Sequence, residues 1–163
     1  MKYSALLILS ITLSLSVFSQ NTIIGKWKPV FIEIDSVMKI DLKTNKAEYA
    51  AAAEKMLSQK DKAMSKQMME MMKMMLVNKM KTLIEEFAVN NVHIVTDGKT
   101  GKKITTSYKF DAKSRTLIIE DDKSKMKQHF KVEFTKTGFI TNGEMPGFSG
   151  SNKSKMKIVY EKS

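Results

Sequence analysis

Between Pro29 and Gly98 this chain has neither glycine nor proline, whereas Gly98, Gly101, Gly138, Gly143, Pro146, Gly147 and Gly150 punctuate its remaining length. Both residue types interrupt regular backbone, glycine through its conformational freedom and proline through its fixed φ and missing N–H. A long stretch without them suits helix, and a regularly interrupted one suits short strands joined by turns. The two halves of the chain are therefore expected to fold by different rules.

The apolar pattern agrees with that division. From Lys46 to Phe87 apolar residues recur mostly at three- and four-residue spacing, as in Met64, Met68, Met71, Met72, Met75 and Leu76. Asn45 followed by Glu48 has the form of a capping box. A single helix over this stretch would be about 60 Å long, twice the width of a small domain. The interruption at Ser58-Gln59-Lys60-Asp61 is therefore expected to turn it into a helical hairpin, with Ser58 or Asp61 capping the second arm. The whole insertion is bounded at residues 45–88.

On either side the period is two. Ile23 to Val37 reads as one long strand or two short ones, with Val30, Ile32 and Ile34 on one face, Phe31 on the other, and an edge or bulge at Pro29. From Asn91 onward, Ile104, Thr106, Tyr108 and Phe110 alternate with polar residues, as do Met126, Gln128, Phe130, Val132 and Phe134. Shorter strands are expected at Val92 to Thr96, Leu117 to Ile119, Phe139 to Thr141 and Met156 to Tyr160. Between them lie turns at Asp97 to Gly101, Asp111 to Arg115, Asp121 to Lys125 and Lys136 to Gly138, and a loop from Asn142 to Lys153. The pattern predicts an antiparallel meander that removes its edges by closing into a barrel.

Residues 1–19 have the form of a secretory signal: Lys2, an apolar run from Ala5 to Val17, then Val17-Phe18-Ser19. The run is too short to span a bilayer, and no later segment is long and apolar enough to do so. Cleavage after Ser19 leaves a single domain over residues 20–163, expected to be periplasmic or extracellular. The chain has no cysteine, which excludes disulfides, thiolate metal sites and cysteine nucleophiles. It carries 28 basic and 17 acidic residues, a net charge of +11. Solvated outer faces account for most of that charge. No nucleic-acid motif accompanies it, and anionic lipid or polysaccharide remains the other candidate for a partner.

Gly25-Lys26-Trp27 opens the first strand, and Lys157-Ile158-Val159-Tyr160-Glu161-Lys162 forms the last. With the leader and the meander, these segments resemble the small bacterial lipocalin-like domains over about residues 22–37 and 91–162. The resemblance implies that Trp27 seals the closed end of a β-barrel. It also implies a basic side chain near the last strand lying across the indole. Here that would be Lys155, Lys157 or Lys162, because the only arginine, Arg115, falls in a turn. The helical insertion after the first strand departs from the family pattern.

A barrel of about eight strands has room for inward side chains or one small ligand. Trp27, Tyr108, Phe110, Phe130, Phe134 and Met156 lie on the apolar parity and are the candidate ligand-binding residues. Nine of the fourteen methionines fall between Met56 and Met80. Met68, Met71, Met72 and Met75 would share one helical face. Thioethers are soft ligands that favour Cu(I), yet such a stripe is first of all packing, and methionine also suits adaptable surfaces. Met69 and Met74 fall off that stripe and would show apolar surface to a partner protein or a membrane. His129 is expected to face solvent, and His93 to be structural or solvated. Glu120-Asp121-Asp122 lacks calcium-loop spacing. No catalytic constellation can be assembled, and no cofactor is implied. The sequence predicts an exported, non-catalytic, lipocalin-like barrel with a methionine-rich helical insertion, binding a small apolar molecule or a partner protein. A Cu(I)- or Ag(I)-binding protein and a cationic surface-associated module are the alternatives.

Overall fold

The computed structural model describes residues 22–35, 37–51, 53–54, 62–121, 123–146 and 153–163. The leader at 1–19 and the break at Ser58 to Asp61 lie outside these residues. Ten strands and one long helix follow in the order β1 (Gly25–Ile34), β2 (Met38–Asp41), β3 (Lys46–Tyr49), α1 (Lys62–Lys81), β4 (Leu83–Phe87), β5 (Val92–Asp97), β6 (Lys103–Asp111), β7 (Thr116–Glu120), β8 (Lys127–Phe134), β9 (Gly138–Pro146) and β10 (Lys153–Lys162). Every pairing is antiparallel. Strands β4 to β10 form a meander, and β1 closes it by pairing with both β4 and β10. The result is an eight-stranded, closed, lipocalin-like barrel.

β1 serves two structures along one edge. Gly25 to Trp27 pair with β4, and Phe31 to Ile34 pair with β2. The β2–β3 hairpin therefore peels away from the barrel wall and carries α1. The expected bulge is present: against β10 the register shifts between Pro29 and Phe31. This moves the inward parity from Trp27 and Pro29 to Ile32, and leaves Val30 off the core face that simple alternation predicts for it.

The insertion is shorter and later than the periodicity implies. Lys46 to Tyr49 is strand rather than helix, and Asn45 is no cap; it occupies the left-handed region at φ 58° in the β2–β3 turn. Leu83 to Phe87 is likewise strand β4, a stave of the barrel. The helix enters after the third strand, not the first. Of the expected hairpin, α1 is the long described arm. β9 also runs to Pro146, through residues whose pattern predicts a loop.

One turn is used four times. Asp41-Leu42-Lys43-Thr44-Asn45, Asp97-Gly98-Lys99-Thr100-Gly101, Asp111-Ala112-Lys113-Ser114-Arg115 and Asp121-Asp122-Lys123-Ser124-Lys125 share the pattern Asp-x-Lys-Ser/Thr-x. In each, the aspartate Oδ1 accepts the amide of the lysine two residues on, at 2.9 Å. The fifth residue is left-handed, with φ of 58°, 70°, 51° and 58°. Donors within each turn stabilise the charged carboxylate, foremost the Thr44 amide at Asp41, the Lys99 amide at Asp97, the Ser114 hydroxyl at Asp111 and the Lys123 amide at Asp121, so all four aspartates titrate below the ordinary 3.8.

Two cores result. The barrel core holds Ile23, Trp27, Phe87, Tyr108, Leu117, Phe130, Val132, Phe139 and Tyr160. The second lies under α1 and joins Ile32, Met38, Ile40, Leu42 and Val77, with Leu76 and Met80 beside them. Ile158 of β10 packs against both. α1 thus lies over inward-facing side chains of β1 and β10, at the end of the barrel opposite Trp27.

Candidate functional site

The closed end is built on Trp27, 4% exposed, whose indole N–H donates to the Ile23 carbonyl at 2.6 Å. Phe139 meets its ring edge-on at 4.8 Å. Lys162, one of the three expected lysines, places Nζ 4.1 Å from the indole centroid, a cation–π contact worth about 0.5–1 kcal/mol at an exposed site. Gly25 explains the motif's glycine. Its φ is 131°, and a β-carbon there would sit 2.7 Å from Lys162 Nζ. Glycine lets the ammonium reach the indole.

The six candidate ligand-binding residues do converge. Trp27, Tyr108 and Phe130 are buried in the barrel core, and Phe110, Phe134 and Met156 pack against it. The rings pack against one another and against Phe139 and Phe87: Phe110 meets Phe134 at 6.1 Å, Phe134 meets Phe139 at 6.5 Å, and Phe87 meets Tyr108 at 5.2 Å, while Met156 lines a surface groove of about 360 Å³ with Glu33, Asn142 and Gly143. Phe130 lies across Gly143 of β9, where a β-carbon would overlap its ring.

A polar belt crosses this core. Glu85 of β4 points inward; its Oε2 is 3.0 Å from His93 Nε2, and its Oε1 accepts from the Tyr160 hydroxyl at 3.1 Å. His93 Nδ1 is 3.0 Å from Thr106 Oγ1, and Phe87 stacks on the imidazole at 4.6 Å. Burial first, then the Glu85 charge and its hydrogen bond, hold the Tyr160 hydroxyl well above its ordinary 10.0, with Thr141 acting against them. The order hydroxyl, imidazole, carboxylate is that of a nucleophile with its base and orienting group. Here both ring nitrogens are occupied within the wall and the ring is covered by Phe87, so the belt satisfies buried polar atoms. Sequence reasoning missed it because Glu85 falls in a stretch whose spacing is helical. Once β4 pairs with β5, the carboxylate comes within reach of His93. His129 is exposed, as expected.

Met74 shows apolar surface as expected, at 64% exposed, but the other methionines divide opposite to expectation. Met69, off the predicted stripe, is 5% exposed and packs inward, whereas Met68, Met71, Met72 and Met75 are 53%, 57%, 43% and 64% exposed. The buried face of α1 follows Met69, Lys73, Leu76, Val77 and Met80. Lys73 belongs to it because its stem packs while its ammonium bonds Glu70 at 2.8 Å and lies 5.4 Å from the Tyr49 ring. With methionine on nearly every side of the helix, apolar spacing gives no contrast between faces.

Two surface grooves flank α1. One, of about 600 Å³, is lined by Met72, Met75, Leu76, Lys79, Thr82 and Lys99, among others. The other, of about 560 Å³, runs past Glu48, Glu70, Lys73, Met74 and Val77. Tyr49 Oη, buried under the helix, has no hydrogen-bond partner among the described residues. Among those residues, no three of His, Asp and Glu gather as a metal site, and no helix is long and apolar enough to cross a membrane. No family model, curated protein or solved structure matches this chain.

Proposed function

We propose that this chain is an exported, non-catalytic, lipocalin-like binding protein that takes a small apolar or amphiphilic ligand in the groove between α1 and the β5–β6 loop. One observation carries the reading: the aromatic rings of the barrel core pack on one another, while the thioethers of Met72 and Met75 stand 43% and 64% exposed along a groove. Methionine suits such a surface because its flexible, polarisable side chain adapts to ligands of varied shape. Lys79 and Lys99 outnumber the one carboxylate of the groove, Asp97, and would favour a ligand with one anionic end.

A dansylated medium-chain fatty acid tests this by fluorescence titration. One saturable site per chain is expected, with affinity falling at least fivefold in Met72→Asp/Met75→Asp. Affinity that survives this change but is lost on filling the barrel mouth with Met156→Trp would move the site into the barrel and overturn the proposal.

A second reading rests on the same side chains. Met68, Met71, Met72 and Met75 stand at i, i+3, i+4 and i+7, neighbours on one helix face, and could hold Cu(I) or Ag(I) through sulfur. Replacing all four by leucine keeps the apolar surface and removes the donors. Retained Ag(I) affinity in that variant would discard the metal reading.

A further inference from the structure

We propose that the open end of this barrel docks on an anionic lipid bilayer, with the exposed methionines of α1 and two rim side chains entering the headgroup boundary. The proposal uses the exposed helix face but does not depend on a ligand in the groove.

Topology gathers the surface. In an antiparallel barrel alternate connections emerge at the same end, so the β5–β6 and β7–β8 connections share the end at which α1 meets β4. The Gly98 amide donates to the Thr82 carbonyl at 2.8 Å, tying the first of these loops to the end of α1. Exposed large apolar side chains concentrate here: Met68, Met71, Met72, Met74 and Met75 on the helix, all at 43% or more, and at the rim Ile104 at 58% and Met126 at 55%. The closed end, by contrast, shows Ile24 and Val89. Large apolar side chains left exposed together at one end of a folded domain mark an interaction surface.

Charge identifies the occupant. Lys102 and Lys103 precede Ile104, and Lys125 and Lys127 flank Met126, with Lys127 paired to Glu120 at 3.3 Å. Lys79 and Lys99 line the groove beside Met72 and Met75. Rim aspartates Asp97 and Asp121 are held charged by their own turns, so the lysines outnumber the anionic rim groups rather than stand alone. Apolar tips between lysines match a surface whose headgroups are negative and whose interior is apolar. The lysine stems can lie along the boundary while their ammoniums stay in the headgroup layer. A second copy of this chain fits worse, because pairing the same face would set lysine against lysine. Attraction of this kind is confined to about 10 Å at 0.1 M salt, so it brings the end down without binding the rest of the barrel.

Co-sedimentation of residues 20–163 with phosphatidylcholine vesicles, with and without 30% phosphatidylglycerol, tests the proposal at low and high salt. At least tenfold stronger binding to the anionic vesicles is expected, weakening steeply as salt rises. Met71→Gln/Met72→Gln/Met75→Gln should weaken binding at least fivefold with an unchanged thermal melt, while leucine at the same positions should preserve it. Lys102→Gln/Lys103→Gln/Lys125→Gln should flatten the salt dependence. Brominated lipids should leave Trp27 emission unchanged, since the indole lies at the far end. Equal binding to neutral and anionic vesicles, no binding, wild-type behaviour of both triple variants, or quenching of Trp27 would each overturn the proposal. So would saturable loss of vesicle binding through stable dimer formation at this face.

Discussion

Glu85 joins His93 of β5 to Tyr160 of β10, and removing it gives the sharpest test of the belt. In Glu85→Ala, His93 Nε2 loses its carboxylate inside the wall and Tyr160 keeps only Thr141. A stranded buried polar atom costs about 1–3 kcal/mol, and the second hydrogen bond adds about 1 kcal/mol. A loss of about 2–4 kcal/mol is expected, a large share of the roughly 5–15 kcal/mol that holds a domain folded. At about 2–4 °C per kcal/mol for a domain of this size, the midpoint should fall by about 5–15 °C. Glu85→Gln should cost less than half as much, because an amide can accept from Tyr160 and donate to His93. Glu85→Leu/His93→Leu should recover part of the alanine loss, since both polar partners leave together. Urea melts followed through Trp27, which shares this core, give the measurement. Glu85→Ala within about 0.5 kcal/mol of wild type, or strict additivity of the Glu85→Leu and His93→Leu single variants, would refute the assignment.

Other outcomes rest on the same geometry. Tyr160 is held above its ordinary 10.0 in the fold, so its contribution is complete below that pH and is lost as pH rises beyond it. The stability difference between wild type and Tyr160→Phe should therefore shrink in urea melts taken above pH 10. The four turn aspartates are shifted the other way. Their contribution is present above pH 3.8 and lost as pH falls through it, so Asp→Asn at all four should flatten the acid limb of the stability profile. Arg115→Gly should stabilise by about 0.5–1 kcal/mol, because a left-handed residue with a β-carbon is strained at that turn. Gly143→Ala should destabilise by about 1–3 kcal/mol by driving a methyl into Phe130. Both are read from midpoints in denaturant.

The barrel was legible in the second half of the chain because its strands are half-buried and alternate cleanly. Phe130 and Val132 point in while Lys131 and Glu133 point out. Legibility failed where local and tertiary preferences oppose each other. Lys46 to Tyr49 has helix-compatible residues, but the left-handed Asn45 turns it back onto β2. Leu83 to Phe87 carries two glutamates, yet one of them is the inward partner of a histidine. On α1, a half-buried lysine and exposed methionines invert the usual sorting, which hydropathy cannot report. The Trp27–Lys162 contact was accessible because Gly-x-Trp and the closing strand each have a local signature. The Asp-x-Lys-Ser/Thr repeat was equally visible, but only to a reading by turn chemistry rather than by apolar spacing.

β1 pairs with β10 through Trp27↔Lys162 to Ile34↔Met156, so the first and last described strands close the barrel on each other. Until β10 docks, the sheet has a bare edge on β9, and the stretch of β1 that faces β10 stays unpaired. Non-local closure of this kind is slow, and bare edges invite pairing with other chains. A chain ending at Pro146 should therefore form an open, self-associating sheet rather than a smaller barrel. Lifetime in the cell should depend on how long those edges wait for β10.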